Sequence, residues 1–395
     1  MKRFFLSLAF VLIALPSLAA IDHVYLVMPG DGSTAMTVQF HSESAIDSVV
    51  HYGLKSLDSD AQSEFTATGK SHQIPGLPDG RYVHAVDLVG LSPATTYYFK
   101  ASNGKSGQFR TLPADGSLVR GVFGGDMSVF PLETQMLKVA AKEAPDVAVL
   151  GGDIAYANGD LKNIKMWDMW LQRWEDFMVR ADGGMIPMIM AIGNHEVNDS
   201  EDPDPTKRAP FYFGFFSQGG QSYFTRELGP HARVIALDSG HITPHAEQVP
   251  FLREALDATE KPFVFTTYHV PLFPSHRDFD DSRSVAGREH WQPLFDEFDL
   301  SIGWEHHDHT FKRSKPICGA TVDPEGTVYM GDGSMGVAVR EINNGDAWYM
   351  EKAESKAHVW VADITAEKVH CRAVDQLGVQ FDEVTIAPRA VPVAP

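Results

Sequence analysis

The stretch Asp146-Val147-Ala148-Val149-Leu150-Gly151-Gly152-Asp153-Ile154-Ala155-Tyr156 decides the fold. Its first half is an apolar run of the length of a buried strand, and the two glycines let the backbone turn sharply where it ends. A carboxylate at the C-terminal end of such a strand stands where open α/β sheets place their chemistry. There Asp153 can bridge two metal ions, and Tyr156, three residues on, can offer a phenolate to one of them. A Gly-Asp pair by itself is far more often a turn than a ligand. Its neighbours change that balance.

Four other segments also set a donor after an apolar run. Gly125-Asp126 follows Val122-Phe123, and Gly193-Asn194-His195-Glu196 follows 188–192. His269 follows 263–267, and His306-His307-Asp308-His309 follows 300–303. Hard oxygen and imidazole donors at successive strand ends, with no cysteine among them, describe a dinuclear metal site. Two ions about 3.5–4 Å apart hold a phosphate oxygen and a hydroxide nucleophile together, and stabilise both the attacking and the leaving oxygen. In an extended segment His307 and His309 point to one side, each toward a different ion. His306 and Asp308 then face away, as hydrogen-bonded or surface groups. A free phenol has a pKa of about 10, so Tyr156 coordinates readily only beside a strongly polarising ion such as ferric iron. Its plain alternative is a core tyrosine hydrogen-bonded to backbone.

Outward from these motifs, the chain changes texture once. Residues 22–113 alternate in short β-like runs at 24–28, 36–40, 49–52, 83–88, 97–100 and 108–111, punctuated by Gly, Pro, Ser and Asp, which is the pattern of an antiparallel sandwich. Nothing in this block clusters His, Asp or Glu as a site would, so it reads as a structural or positioning module. Leu112-Pro113-Ala114-Asp115-Gly116 reads as a linker. Beyond it, buried-type strands at 119–123, 147–150, 188–192, 234–237 and 263–267 alternate with helical patterns at 132–143, 164–178, 248–256 and 288–298, which indicates an α/β domain. The tryptophan-rich segment 166–174 has helical spacing and reads as core. Residues 197–222 read as a long irregular connection bordering the site. Strand-like alternation returns over 358–386 and is expected to pair with the catalytic core.

The 395 residues exceed one typical domain, and a composition 44% apolar and 22% charged provides a real core. Met1-Lys2-Arg3 and the apolar run 4–15, followed by Pro16-Ser17-Leu18-Ala19-Ala20, read as a secretory signal cleaved after Ala19 or Ala20. The run is too short to span a membrane, which takes about 20 residues. An exported, periplasmic or secreted protein with no membrane partner is expected. A net charge of −19 disfavours nucleic acid as a partner. It also repels anionic substrates unless local positive charge overrides it, which metal ions would do. For Cys318 and Cys371 two readings stay open, a bridge closing about 54 residues or two unpaired thiols.

The five motifs resemble, in order, those of the purple acid phosphatases, within the calcineurin-like metallophosphoesterases. The likeness extends to His309-Thr310-Phe311-Lys312-Arg313 and to the segment 326–333, and Leu91-Ser92-Pro93-Ala94-Thr95-Thr96-Tyr97-Tyr98-Phe99 is similar to a turn and strand of a fibronectin type III domain. After the signal peptide read at 1–20, the resemblance implies a fibronectin type III-like β-sandwich at 21–113. It implies a metallophosphoesterase domain of two packed mixed sheets flanked by helices at 117–387, and a loose tail at 388–395. It also implies that Asp126, Tyr156 and His309 hold Fe(III), that Asn194, His269 and His307 hold a divalent zinc, manganese or iron ion, and that Asp153 bridges. His195 matches the family's substrate-facing histidine, able to bind phosphate or protonate the leaving alkoxide, or else to support the ligands. His276 falls where the family keeps further histidines near the site, and is a candidate general acid. Glu196 either orients neighbours or caps the turn. Three departures stand out: Ser128 where glycine is usual, Thr266 for an apolar residue, and His306 for the glycine preceding the paired histidines.

The expected activity is hydrolysis of phosphomonoesters by in-line attack of a metal-bound hydroxide, with His195 and His276 assisting the leaving group. Two rivals are a phosphodiesterase or nucleotidase on the same metals, and a binding or adhesion protein carrying a degenerate enzyme domain. Every ligand position is filled, which argues against the last.

Overall fold

The computed structural model describes residues 21–57, 63–216 and 220–389. The leader expected at 1–20 lies outside these residues. Two large sheets pack face to face. The first has ten strands, in the order Gln380–Ile386, Val369–Asp375, His358–Ile364, Val119–Gly124, Val147–Leu150, Met188–Met190, Val24–Val27, Ala35–Ser42, Tyr82–Val89 and Lys70–His72. The second has seven, in the order Phe224–Leu228, Ala232–Ala236, Phe263–Thr267, Ile302–Glu305, Val328–Gly331, Phe311–Ser314 and Met350–Glu354. The central strands of both run parallel and are buried on both faces, which is why they read as continuous apolar runs.

Phe123, Val149, Phe265, Trp304 and Trp360 fill the space between the sheets. On the outer face of the first sheet, the helices Pro131–Lys142 and Ile164–Phe177 cover the core, and Trp167, Trp170 and Trp174 are buried there. The tryptophan stripe is therefore core, as its spacing indicates. The helical pattern at 288–298 is two helices, Ser282–His290 and Gln292–Glu297, broken at Trp291. The connection 197–222 also carries short helices at Pro205–Arg208 and Pro210–Phe215, each begun by a proline whose fixed φ suits a first turn.

The N-terminal strands form a sandwich whose second sheet is Phe65–Thr68, Val49–Gly53, Thr96–Ala101 and Ser106–Arg110, closed over Val38, Phe40, Phe99 and Phe109. Its other layer is not separate. Val27 pairs in parallel with Met188, so the sandwich sheet runs on into that of the α/β domain. The C-terminal strand His358–Ile364 pairs antiparallel with Val119–Gly124 on the far side. Of the loose tail expected at 388–395, residues 390–395 lie outside the described residues; Arg389 is anchored, its guanidinium donating to the carbonyls of Lys261 (3.0 Å) and Phe298 (3.2 Å). Cys318 and Cys371 are unpaired thiols. No helix among the described residues is long and apolar enough to cross a membrane.

Candidate metal centre

The strand ends named in the sequence converge on one buried cluster at the C-terminal edges of the two sheets. Asp126, Asp153, Tyr156, His307 and His309 all take left-handed backbone conformations, with φ between +54° and +77°. Such a φ costs a non-glycine residue about 1–2 kcal/mol. It turns each donor back over the end of its strand, a direction that extended backbone does not offer. His307 and His309 therefore do not alternate along a strand, as their spacing suggested. They meet the cluster because the loop turns at both.

His306 and Asp308 are not surface groups either. His306 is 1% exposed and slots against the backbone of both Gly-Asp motifs, where a Cβ on Gly151 would lie 1.8 Å from its Cδ2 and one on Gly125 would lie 2.8 Å from its Nδ1. Burial pushes its pKa down to about 3, so it packs as a neutral ring. Asp308 is fully buried and accepts the backbone N–H groups of Ser275 and His276, both at 2.8 Å, and the Arg277 guanidinium at 2.9 Å. That ties the His269–His276 loop to the paired-histidine loop.

The donors form two groups. In one, Asp126 Oδ1 lies 3.0 Å from His309 Nε2, and the Tyr156 hydroxyl lies 3.2 Å from that nitrogen and 3.5 Å from Asp126 Oδ1. In the other, His269 Nε2 lies 3.0 Å from His307 Nδ1, 3.1 Å from Asn194 Oδ1 and 3.1 Å from Asp153 Oδ2. Ligands about 2.1 Å from one ion and at right angles to each other sit about 3.0 Å apart, so each group has the spacing of a coordination shell. Asp153, His269 and His307 bring ligand atoms within 4.8 Å of one another.

The electrostatics also fit cations. Burial opposes charge on Asp126, yet the imidazoles of His309 and His269 hold its carboxyl well below the usual range. Burial lowers the basicity of His269, but Asp153 and Asp126 outweigh it and bring its pKa up to about 9. Burial, then Asp126 and Asp153, push the Tyr156 phenol far above its ordinary value, so ionisation there needs a cation to offset both carboxylates.

His195 stands over this cluster. Its ring stacks on Tyr156 at 4.1 Å between centroids, and its Nε2 lies 3.8 Å from Asp153 Oδ2. Its Nδ1 is hydrogen-bonded to Asn158 Oδ1, which puts a hydrogen on Nδ1 and leaves Nε2 toward the site. The Glu196 carboxylate accepts the backbone N–H groups of Asp153 (2.7 Å), Gly193 (2.8 Å) and Ile154 (2.9 Å), locking two ligand loops together rather than merely capping one. His276 lies further out, its Nδ1 at 2.8 Å from the Glu341 carbonyl oxygen.

Two groups near the cluster are absent from the sequence reading. Asn158 is one. The other is Arg340, which donates its backbone N–H to the His309 carbonyl at 3.0 Å and places a cation near Asp126, Asp308 and Tyr156. Only the local pattern could have hinted at Asn158, two residues beyond Tyr156. Nothing local marks Arg340.

Comparison with known proteins agrees with this geometry. The model of the purple acid phosphatase N-terminal domain matches residues 21–112, and that of the calcineurin-like phosphoesterases matches 130–309. Purple acid phosphatase 15 of Arabidopsis thaliana is 24% identical over 73% of this chain, and the match spans 61% of that protein's length. The probable purple acid phosphatase 20 of the same plant is 26% identical, covering 79% of this chain and 73% of its own. The solved structure of a purple acid phosphatase from yellow lupin seeds superposes with a TM-score of 0.77 at 19% identity, covering 93% of this chain and 74% of that one.

Proposed function

Because the chain belongs to the purple acid phosphatase family of calcineurin-like phosphoesterases, we propose that it is an exported acid phosphatase that hydrolyses phosphomonoesters at a dinuclear centre. The observation that carries this reading is the pair of donor groups sharing one buried cluster. Asp126, Tyr156 and His309 would hold Fe(III), Asn194, His269 and His307 a divalent zinc, manganese or iron ion, and Asp153 would bridge. Bound there, the ions would supply Lewis acidity and an activated water.

The chain's own side chains do the rest. Glu196 fixes the loops of Asp153 and Asn194, so the donors are placed before substrate arrives. His195 keeps its Nδ1 hydrogen on Asn158 and offers Nε2 over the centre, where it would hold the proton that the leaving alkoxide takes. Burial lowers the His195 pKa, opposed by Asp153, so that proton is readily given up. His276, with Nδ1 occupied by the Glu341 carbonyl, would serve from the rim.

Purified, metal-loaded protein should hydrolyse phenyl phosphate and show a visible tyrosinate-to-iron absorption that Tyr156→Phe removes. Inactive protein whose metal content is unchanged by Asp153→Asn would sink the reading. Export is tested by the N-terminus of mature protein, expected just after Ala19 or Ala20.

A further inference from the structure

A cavity of about 460 Å³ opens beside Asn194, the donor that faces His269. Arg208, His241 and Arg283 line it, with Asp199 and Glu201 on its exposed rim. His241 is 5% exposed, and its Nε2 is buried without a hydrogen-bond partner. The Arg208 Nε is likewise buried and unpartnered. Buried polar atoms are almost always satisfied, so two unpartnered ones on residues that line a single cavity mark a place for a hydrogen-bonding group that arrives from outside.

The cavity is also rigidly built. Asp238 accepts the backbone N–H groups of His241 (2.7 Å), Ile242 (3.0 Å) and Thr243 (2.8 Å), and Gln248 braces Asp238 from behind. Arg208 donates from Nη2 to the His241 carbonyl at 2.7 Å, which joins the two walls. Several guanidinium groups of this acidic chain are taken up by carboxylates, as in Arg81 with Asp168, Arg120 with Asp363 and Arg313 with Asp382, while others, such as Arg226, Arg288 and Arg389, bond backbone carbonyls. Among the described residues, no ion pair engages Arg208 or Arg283.

We propose that this cavity is a subsite for a second anionic group, a carboxylate or a further phosphate, on the alcohol part of the substrate. The inference rests on the hydrolase reading of the adjacent centre. With the phosphoryl group on that centre, an alcohol directed past Asn194 would bring its anion to two guanidinium groups and the His241 imidazole. A charge-assisted hydrogen bond formed in a water-poor cleft discriminates about tenfold against a neutral analogue.

The test is a matched pair of esters, phosphoglycerate and glycerol phosphate, which differ by a carboxylate in place of a hydroxymethyl group. The wild type should favour phosphoglycerate by about tenfold in kcat/KM. Arg283→Gln, at the surface, and Arg208→Gln should each shrink that ratio, and the double variant should bring it near unity. A wild-type ratio near unity, or one that survives both substitutions, overturns the subsite. Should the protein turn over neither ester, the hydrolase reading fails separately. Calorimetric titration of the same two compounds into metal-loaded protein then decides. Tighter phosphoglycerate binding that the double variant loses supports the subsite, and equal binding refutes it.

Discussion

Arg81→Met should cost the folded protein about 4 kcal/mol, because it breaks a buried ion pair that clamps the sandwich to the catalytic domain. The Arg81 side chain is wholly buried. It forks onto Asp168 of the helix Ile164–Phe177 through Nη1 (2.5 Å) and Nη2 (3.0 Å), and its Nε reaches Asp79 at 2.9 Å. His23 approaches the same carboxylate at 3.3 Å and Glu175 at 2.8 Å. Removing one member of a buried pair leaves the other charge stranded and costs about 3–5 kcal/mol. The bidentate fork argues against the low end, while the Asp79 contact is partly wet and adds little. Replacing both members, Arg81→Met with Asp168→Leu, should recover most of the loss, since no lone charge is then buried.

Urea unfolding of the metal-free wild type, single variant and double variant reads these costs. Because the sandwich and catalytic strands share a sheet, the transition should stay single and shift as a whole. Proton linkage supplies a second reading. Burial lowers the His23 pKa, but Asp168 and Glu175 more than offset it, so the folded value lies above 6.5. Its pairing is then fully present below pH 6.5 and is lost as pH rises through the folded value. A single variant costing under about 1 kcal/mol, or a double variant no better than the single, would refute the clamp.

Acid should work against the protein elsewhere. Burial holds His358 neutral with a pKa of about 4, so the unfolded chain takes up protons first, and stability falls as pH drops from 6.5 toward 4, by about 3 kcal/mol at most. His358→Phe should flatten that slope in unfolding measured across this range. Gly151→Ala should abolish metal binding, because its Cβ would strike the buried His306 ring, and His306→Gly in the same chain should restore it. Metal content by elemental analysis checks both. Asn158→Ala should lower phosphatase kcat by about tenfold with KM little changed, since it frees the His195 ring without touching a donor.

How far the site could be read from sequence depended on whether its signal was local. An apolar run, a glycine and a donor sit side by side in the chain, so every cluster residue at a strand end could be named before any geometry was known. The rotation that joins them could not. Positive φ is uncommon for any residue but glycine, and five residues of the cluster take it. Ser128 held the one clue. It stands where the family has glycine, and its φ is +61°. The shared sheet was illegible for another reason, since Val27 finds Met188 across 160 residues of chain and either strand reads the same alone.

His306 joins these two limits. Beside the paired histidines its spacing pointed it outward, yet it lies inward because Gly125 and Gly151 have no side chains to exclude it. Those glycines therefore serve twice. They let the chain turn at each strand end, and they make the slot into which the third histidine packs. The loop of His307 and His309 is thus seated on the same two motifs that carry Asp126 and Asp153. Donors on separate strands are then fixed relative to one another by packing as well as by hydrogen bonds. A set of left-handed residues held from both sides in this way is positioned by packing, and does not depend on an ion alone. The centre should therefore bind its metals with little rearrangement of these loops.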